Sequence, residues 1–298
     1  MASFQNVTLL GKGLLGTAVL EQLAVNGYTV TILSRDPSNV TDVPSGVQVA
    51  QVDYSSKESL VKALKGQDAV VSTIGAAGLA SQKLIIDASI EAGVKRFIPS
   101  DFGSFSTDPG ARDFPLVKVM IEIQDHLKEK AAAGALEYTI FSTGAFLEYF
   151  LASTLVLDFA NHSVDLFDQG VHSFSLTSVA TIGKAVANAL KAPDVTKNRN
   201  LKIHEAVLTQ ARVLGLAKKY SPPGTQWTET QVDPDQALSE ATAKVMENPA
   251  DIGAAYAVVK ASVLGGKFRT AYDTVDNELL GIRLLSDEEI EAKIAAIF

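Results

Sequence analysis

Val7-Thr8-Leu9-Leu10, continuing directly into Gly11-Lys12-Gly13-Leu14-Leu15-Gly16, is the stretch that decides the fold. The first four residues read as a short apolar strand, and the six after them form a G-x-G-x-x-G turn. Leu15, Val19, Leu20 and Leu23 then recur at helical spacing, and a second apolar strand covers residues 28–33. Strand, glycine turn, helix and strand follow in the order and at the length of a dinucleotide-binding unit. A glycine motif alone would be weak in a chain with 21 glycines; its context makes it specific. Gly11 allows the tight turn, Gly13 lets a pyrophosphate approach the backbone, and Gly16 lets the helix sit close to the sheet. The N–H groups that open the helix, around Leu14 and Leu15, then face the phosphates.

The end of the second strand selects the cofactor. NAD sites carry an acidic residue about 20 residues after the glycines, to hold the ribose hydroxyls. This chain has Ser34-Arg35-Asp36 there. Arg35 can pair bidentately with a 2′-phosphate, and Ser34 can add a hydrogen bond. Lys12 is a second phosphate partner within the loop. The expected cofactor is therefore NADP(H), with Asp36 starting the next turn.

Outward from this unit, apolar strands alternate with amphipathic helices. Strands are expected at residues 47–52, 69–74, 96–99 and 138–141, and helices at residues 56–64, 82–92 and 117–133. This is the pattern of an α/β protein, a Rossmann-type doubly wound parallel sheet with helices on both faces. Residues 1–150 are expected to form the NADP(H)-binding domain. Residues 151–298, with shorter and less regular elements, are expected to form a smaller α+β substrate lobe, the chain crossing between the two.

In such a sheet the ligand lies over the carboxyl ends of the strands. That rule nominates Asp53 and Tyr54 near the adenine, and Thr73, Ile74 and Gly75 near the nicotinamide ribose. It also nominates Ser100, Asp101 and Phe102 after the fifth strand, and Thr143, Gly144 and Phe146 after the sixth. Glu148 and Tyr149 follow closely enough to reach a pocket between the lobes.

Composition narrows the function class. The net charge is −8, against a general nucleic-acid binder. The chain has no cysteine, which removes disulfides, thiolate catalysis and cysteine metal sites. The four histidines show no metal-binding spacing, so no metal is expected. No signal peptide or membrane-length apolar run is legible, and a cytoplasmic protein is expected. Neither a nucleophile elbow nor the Tyr-x-x-x-Lys of standard short-chain enzymes is present in the helix before the sixth strand.

Together these strand ends resemble the NmrA-like and isoflavone-reductase-like group of atypical short-chain dehydrogenases, with a fungal flavour. The resemblance covers most of the chain. It rests on Gly11 to Gly16, Ser34-Arg35, Arg96-Phe97-Ile98-Pro99-Ser100-Asp101-Phe102-Gly103, and Leu136-Glu137-Tyr138-Thr139-Ile140 with Phe146 after it. It implies NADPH-dependent reduction of a small phenolic or phenylpropanoid compound, or, in regulator members, dinucleotide sensing without turnover. It also implies a catalytic lysine near the start of the helix before the sixth strand. Matching the helices places that lysine at Met120, while Lys118 lies two residues earlier. Two residues are about 200° of helix rotation, so the two positions face different ways.

The expectation is thus an NADPH-dependent reductase of a small aromatic or specialised-metabolite substrate. Lys118 and Asp101 are its catalytic candidates. Lys118 and Ser100 also stand beside the cofactor, and Phe102, Met120, Phe146, Glu148 and Tyr149 line the substrate pocket. An enzyme that keeps NADP(H) but catalyses a cyclisation, isomerisation or rearrangement is the first alternative, and a non-enzymatic redox sensor the second. The expected partner is a small molecule, not a nucleic acid or a membrane, and the chain is expected to be a monomer or homodimer.

Overall fold

The computed structural model describes residues 4–298. β1 (Asn6–Leu10) sends Val7 and Leu9 to one side of a sheet and Leu10 to the other, the alternation that a strand covered on both faces requires. α1 (Leu14–Val25) buries Val19, Leu20 and Leu23, and β2 (Thr29–Ser34) returns parallel to β1. β3 (Gln48–Gln51), α2 (Lys57–Leu64), β4 (Ala69–Ser72) and α3 (Gln82–Ala92) repeat the alternation. Ser56 caps α2 by accepting the Ser59 N–H, and α3 stops where Gly93 turns left-handed at φ +84°. β5 (Arg96–Ile98), α4 (Lys118–Ala132) and β6 (Glu137–Ser142) complete the first run.

The second run is less periodic. β7 (Ala145–Phe146), α5 (Leu147–Ala152), β8 (Ser163–Phe167) and β9 (Ser173–Thr177) lead into α6 (Val179–Lys191) and the short α7 (Pro193–Thr196). β10 (Arg199–Lys202), β11 (Ala206–Thr209), α8 (Gln210–Tyr220) and β12 (Thr228–Val232) follow. α9 (Pro234–Glu247), α10 (Ile252–Leu264) and α11 (Asp287–Ala295) follow, and Ser286 with Glu289 forms a capping box at the start of α11.

Seven strands form one parallel sheet in the order β10-β6-β5-β4-β1-β2-β3. The order reverses between β1 and β4, which creates the crevice where a doubly wound sheet takes its ligand. α6 covers the same face as α1, and β10 adds the seventh strand, although both lie beyond residue 150. β11, β9 and β7 make a second small sheet, and β12 pairs with β8. A further apolar core, around Phe150, Phe174, Leu208 and Val258, takes in Val117 and Ile121 at the start of α4.

Candidate dinucleotide and substrate site

The glycine loop is built by close backbone contact. Gly11 sits at φ +89°, and a Cβ there would stand 3.0 Å from the Thr73 carbonyl oxygen. A Cβ on Gly16 would lie 2.2 Å from the Gly11 carbonyl oxygen and 2.7 Å from Thr73 Oγ1. Thr73 Oγ1 donates to the Gly11 carbonyl at 2.8 Å, so the end of β4 braces the loop from below. Thr73 therefore acts through the loop's shape, a role its strand-end position did not reveal. At Gly13 a Cβ would meet nothing within 4 Å, and Lys12 is half-buried beside it. No side chain caps α1, its first turn carries no acid, and Leu14 is 48% exposed there. The opening N–H groups around Leu14 and Leu15 thus face a groove floored by glycine, which is the donor set a pyrophosphate needs.

Arg35 is exposed at the end of β2, and its guanidinium makes no ion pair with the described residues. Ser34 Oγ is engaged in its own turn, donating to the Asp36 carbonyl at 2.9 Å and accepting the Asp36 N–H at 3.2 Å. Asp53 accepts the Ser55 N–H at 2.8 Å and the Ser55 hydroxyl at 2.6 Å, which holds its carboxyl below the usual range. Tyr54 donates to the Leu33 carbonyl at 2.8 Å, and burial pushes its phenol up to about 12. Tyr54 is therefore a brace that ties the end of β3 to β2, its hydroxyl committed to that bond.

At the other end of the crevice, Ser100 is locked in place. Its hydroxyl donates to the Ile74 carbonyl at 2.7 Å, and its N–H donates to Gln82 Oε1 at 2.8 Å. Ile74 and Gly75 open the turn from Ala76–Ser81 that covers this edge.

Several expected roles give way to structural ones. Asp101 is 4% exposed, and its two oxygens accept from Ser106 Oγ at 2.5 Å and Gln124 Nε2 at 2.7 Å. Burial pushes its carboxyl up, the two hydrogen bonds opposing that shift. Both oxygens are committed to folding the 101–106 loop onto α4, so Asp101 is not an acid or base facing the crevice. Phe102 is buried against Phe141, their rings 5.8 Å apart and nearly parallel, so it is core and not pocket wall. Thr143 is buried, donating to the Phe102 carbonyl at 2.9 Å. Glu148 accepts the Val179 N–H at 3.1 Å with each oxygen, placing its charge on the N-terminus of α6. Phe146 and Tyr149 do form a surface: their rings stack at 6.2 Å, and Tyr149 is 56% exposed.

Lys118 is the first residue of α4 and is exposed at the carboxyl edge of the sheet, with no ion pair to the described residues. One turn on, Glu122 bonds Lys83 of α3 at 2.9 Å, and Lys118 contributes to holding the Glu122 carboxyl below its usual range. Met120 is half-buried, one turn before Gln124, on the side of the helix turned to the β5 exit loop. The two positions face apart, as the helix geometry requires.

Sequence reasoning missed Gln82, Gln124 and Tyr272. The two glutamines are nearly fully buried, and a polar residue inside an apolar helix face was their one signal. Tyr272 bonds Gly144, a partner 128 residues away, and had none.

The sequence pattern of the NmrA-like family matches residues 5–266. The chain belongs to the NmrA-like family. This NmrA-like protein is 33% identical over 273 residues to oxidoreductase aprR of Aspergillus flavus, covering 90% of each chain. Among solved structures it resembles an isoflavone reductase at TM-score 0.74 and 23% identity, covering 97% of this chain and 99% of that one. It also resembles the NADPH-dependent quinone oxidoreductase of Escherichia coli, solved with NADPH, at TM-score 0.74 and 19% identity, covering 98% and 99%. At those identities the structural likeness speaks for the fold. For the cofactor, the glycine-floored groove and Arg35 are the features of this NmrA-like chain that fit NADP(H). No helix among the described residues is long and apolar enough to cross a membrane.

Proposed function

We propose that this protein is an NADPH-dependent reductase of a small aromatic or specialised-metabolite substrate. It is an NADP-dependent oxidoreductase whose cofactor lies along the carboxyl edge of the sheet, and whose substrate meets it beside the second lobe. The observation that carries the reading is the uncapped, acid-free start of α1 over Gly13, with the exposed guanidinium of Arg35 at the end of β2. When bound, NADPH supplies the hydride.

The chain's own residues do the rest. The α1 N–H groups and Arg35 hold the phosphates. Ser100, fixed by Ile74 and Gln82, sets the height of the β5 exit. Phe146 and Tyr149 offer an aromatic face to a ring-bearing substrate. Lys118 at the same edge, or an ordered water, is the proton source that balances the hydride, and the lysine's charge steadies the anion that develops on the substrate.

The sequence left open a non-redox enzyme using Asp101 or Glu148 as acid or base. Both carboxylates are engaged in holding structure, which counts against that reading, while Met120 at the position the resemblance gives to the catalytic lysine favours it. The test is turnover of a panel of aromatic and enone-like compounds, following NADPH absorbance and product mass together. Cofactor oxidation with a hydrogenated product is expected. Product formation without NADPH consumption, or tight NADPH binding with no turnover on any panel member, would move the weight to the other readings.

A further inference from the structure

The segment after α10 belongs by sequence to the second lobe, yet one of its side chains reaches the nicotinamide end of the crevice. Tyr272 is 7% exposed. Its hydroxyl donates to the Ser104 carbonyl at 2.9 Å, with the Gly103 carbonyl at 3.3 Å, and accepts the Gly144 N–H at 3.0 Å. Gly103 and Ser104 belong to the loop leaving β5, and Gly144 to the turn leaving β6. One phenol therefore joins the two strand exits that flank the nicotinamide half of a dinucleotide site.

The joint has little room to shift. Gly144 adopts φ +69°, and a Cβ there would lie 2.2 Å from the Ser175 carbonyl oxygen, so β9 fixes its backbone from behind. The Tyr272 N–H donates to Ser175 Oγ at 3.2 Å, and that hydroxyl pairs with His204 Nδ1 at 3.0 Å. The His204 ring lies parallel to the Tyr272 ring at 6.5 Å. The Ser175 N–H donates to the Thr270 carbonyl at 2.9 Å, which anchors the segment two residues before the tyrosine. Tyr272 is thus held on its backbone, its ring face and its hydroxyl. Deleting the hydroxyl would leave the Gly144 N–H buried with no acceptor and would uncouple the two exits, although nothing at the adenine end would be touched.

We propose that Tyr272 is a positioning residue for the nicotinamide half of the cofactor site, acting through the β5 and β6 exit loops and not by contact with the adenine half. This rests on the NADP(H) reading above. The measurement compares two ligands on the wild type and Tyr272→Phe: NADPH, and 2′,5′-ADP, which carries the adenine half and the 2′-phosphate but no nicotinamide. Tyr272→Phe should raise the NADPH Kd by about fivefold or more while the 2′,5′-ADP Kd stays within about twofold, the loss expected for one buried hydrogen bond of about 1 kcal/mol.

Equal losses for both ligands, or no loss for either, would overturn the inference. Failure of the wild type to bind NADPH at all would instead sink the cofactor reading. If Tyr272→Phe does not fold, amide hydrogen exchange on the wild type still decides. The Gly144 N–H should exchange slowly without ligand and stay equally slow with 2′,5′-ADP. Exchange as fast as an exposed loop amide would show that the joint does not hold.

Discussion

Arg35 is the residue on which cofactor choice turns. It is exposed and has no acidic partner among the described residues, so its charge is available to a 2′-phosphate. A charge-assisted hydrogen bond contributes about 1.5–3 kcal/mol, so Arg35→Glu should weaken NADPH by about tenfold or more. NADH binding should change far less; equal loss for both would contradict the 2′-phosphate role. Lys118 is exposed at the opening of α4, so Lys118→Ala should leave NADPH affinity and melting temperature nearly unchanged. Turnover should fall by roughly 10²–10⁴ if it is the proton source, and unchanged turnover would remove it from the mechanism.

Asp101 yields a pH signature. Burial holds its carboxyl above the ordinary value of 3.8. The native state then keeps a proton that the unfolded chain has lost, so this group's contribution to stability falls as pH rises from 3.8 through the raised value. Asp101→Asn has no such proton. Melting temperatures of the two proteins should diverge over that rise, the wild type losing ground to the variant. Parallel curves would mean that the carboxyl is not held in its buried setting.

Elements were legible where periodicity and caps agreed. α2 and α3 fall within a residue or two of their expected spans, because Ser56 and Gly93 mark their ends by local chemistry. β7 and α5 were not separated from the β6 exit, since a two-residue strand and a six-residue helix carry too short a pattern to read. Thr177 ends β9, and Ser178 next to it caps α6 by accepting the Thr181 N–H.

Contact between elements also sorts two glycines that look alike in sequence. Gly183 lies in α6 where a Cβ would stand 2.5 Å from the Ala18 carbonyl oxygen of α1, so Gly183→Ala must push the two helices apart. Gly215 lies exposed inside α8 with nothing within 4 Å. Thermal or denaturant unfolding should show Gly183→Ala destabilised by about 1–3 kcal/mol and Gly215→Ala stabilised by about 0.5–1 kcal/mol. The same sign for both would contradict the close packing of α6 on α1.

At the scale of the whole molecule, the sheet was readable from its alternating strands, but its seventh strand was not assigned to it. β10 sits some 60 residues after β6 in the chain and pairs with it in parallel, Arg199 opposite Thr139. Nothing local in Arg199 to Lys202 says which sheet they join. The buried guanidinium of Arg96 helps fix that edge, bonding Glu137 at 2.6 Å, Thr139 Oγ1 at 3.0 Å and the Pro193 carbonyl at 2.9 Å. The site divides in the same way. The phosphate-binding half proposed for it falls within 35 consecutive residues, so local motifs alone could nominate it. The nicotinamide half proposed for it draws on the exits of β4, β5 and β6 and on the segment carrying Tyr272, and only three-dimensional contact separates side chains open to the crevice from those committed to holding the loops in shape.

The most direct test of the central claim uses NADPH deuterated at the transferable C4 position, with a substrate found to be converted. A reductase of this kind should place that deuterium on the product as NADP⁺ accumulates. A product formed without the label would contradict hydride transfer from the cofactor and, with it, the reductase reading.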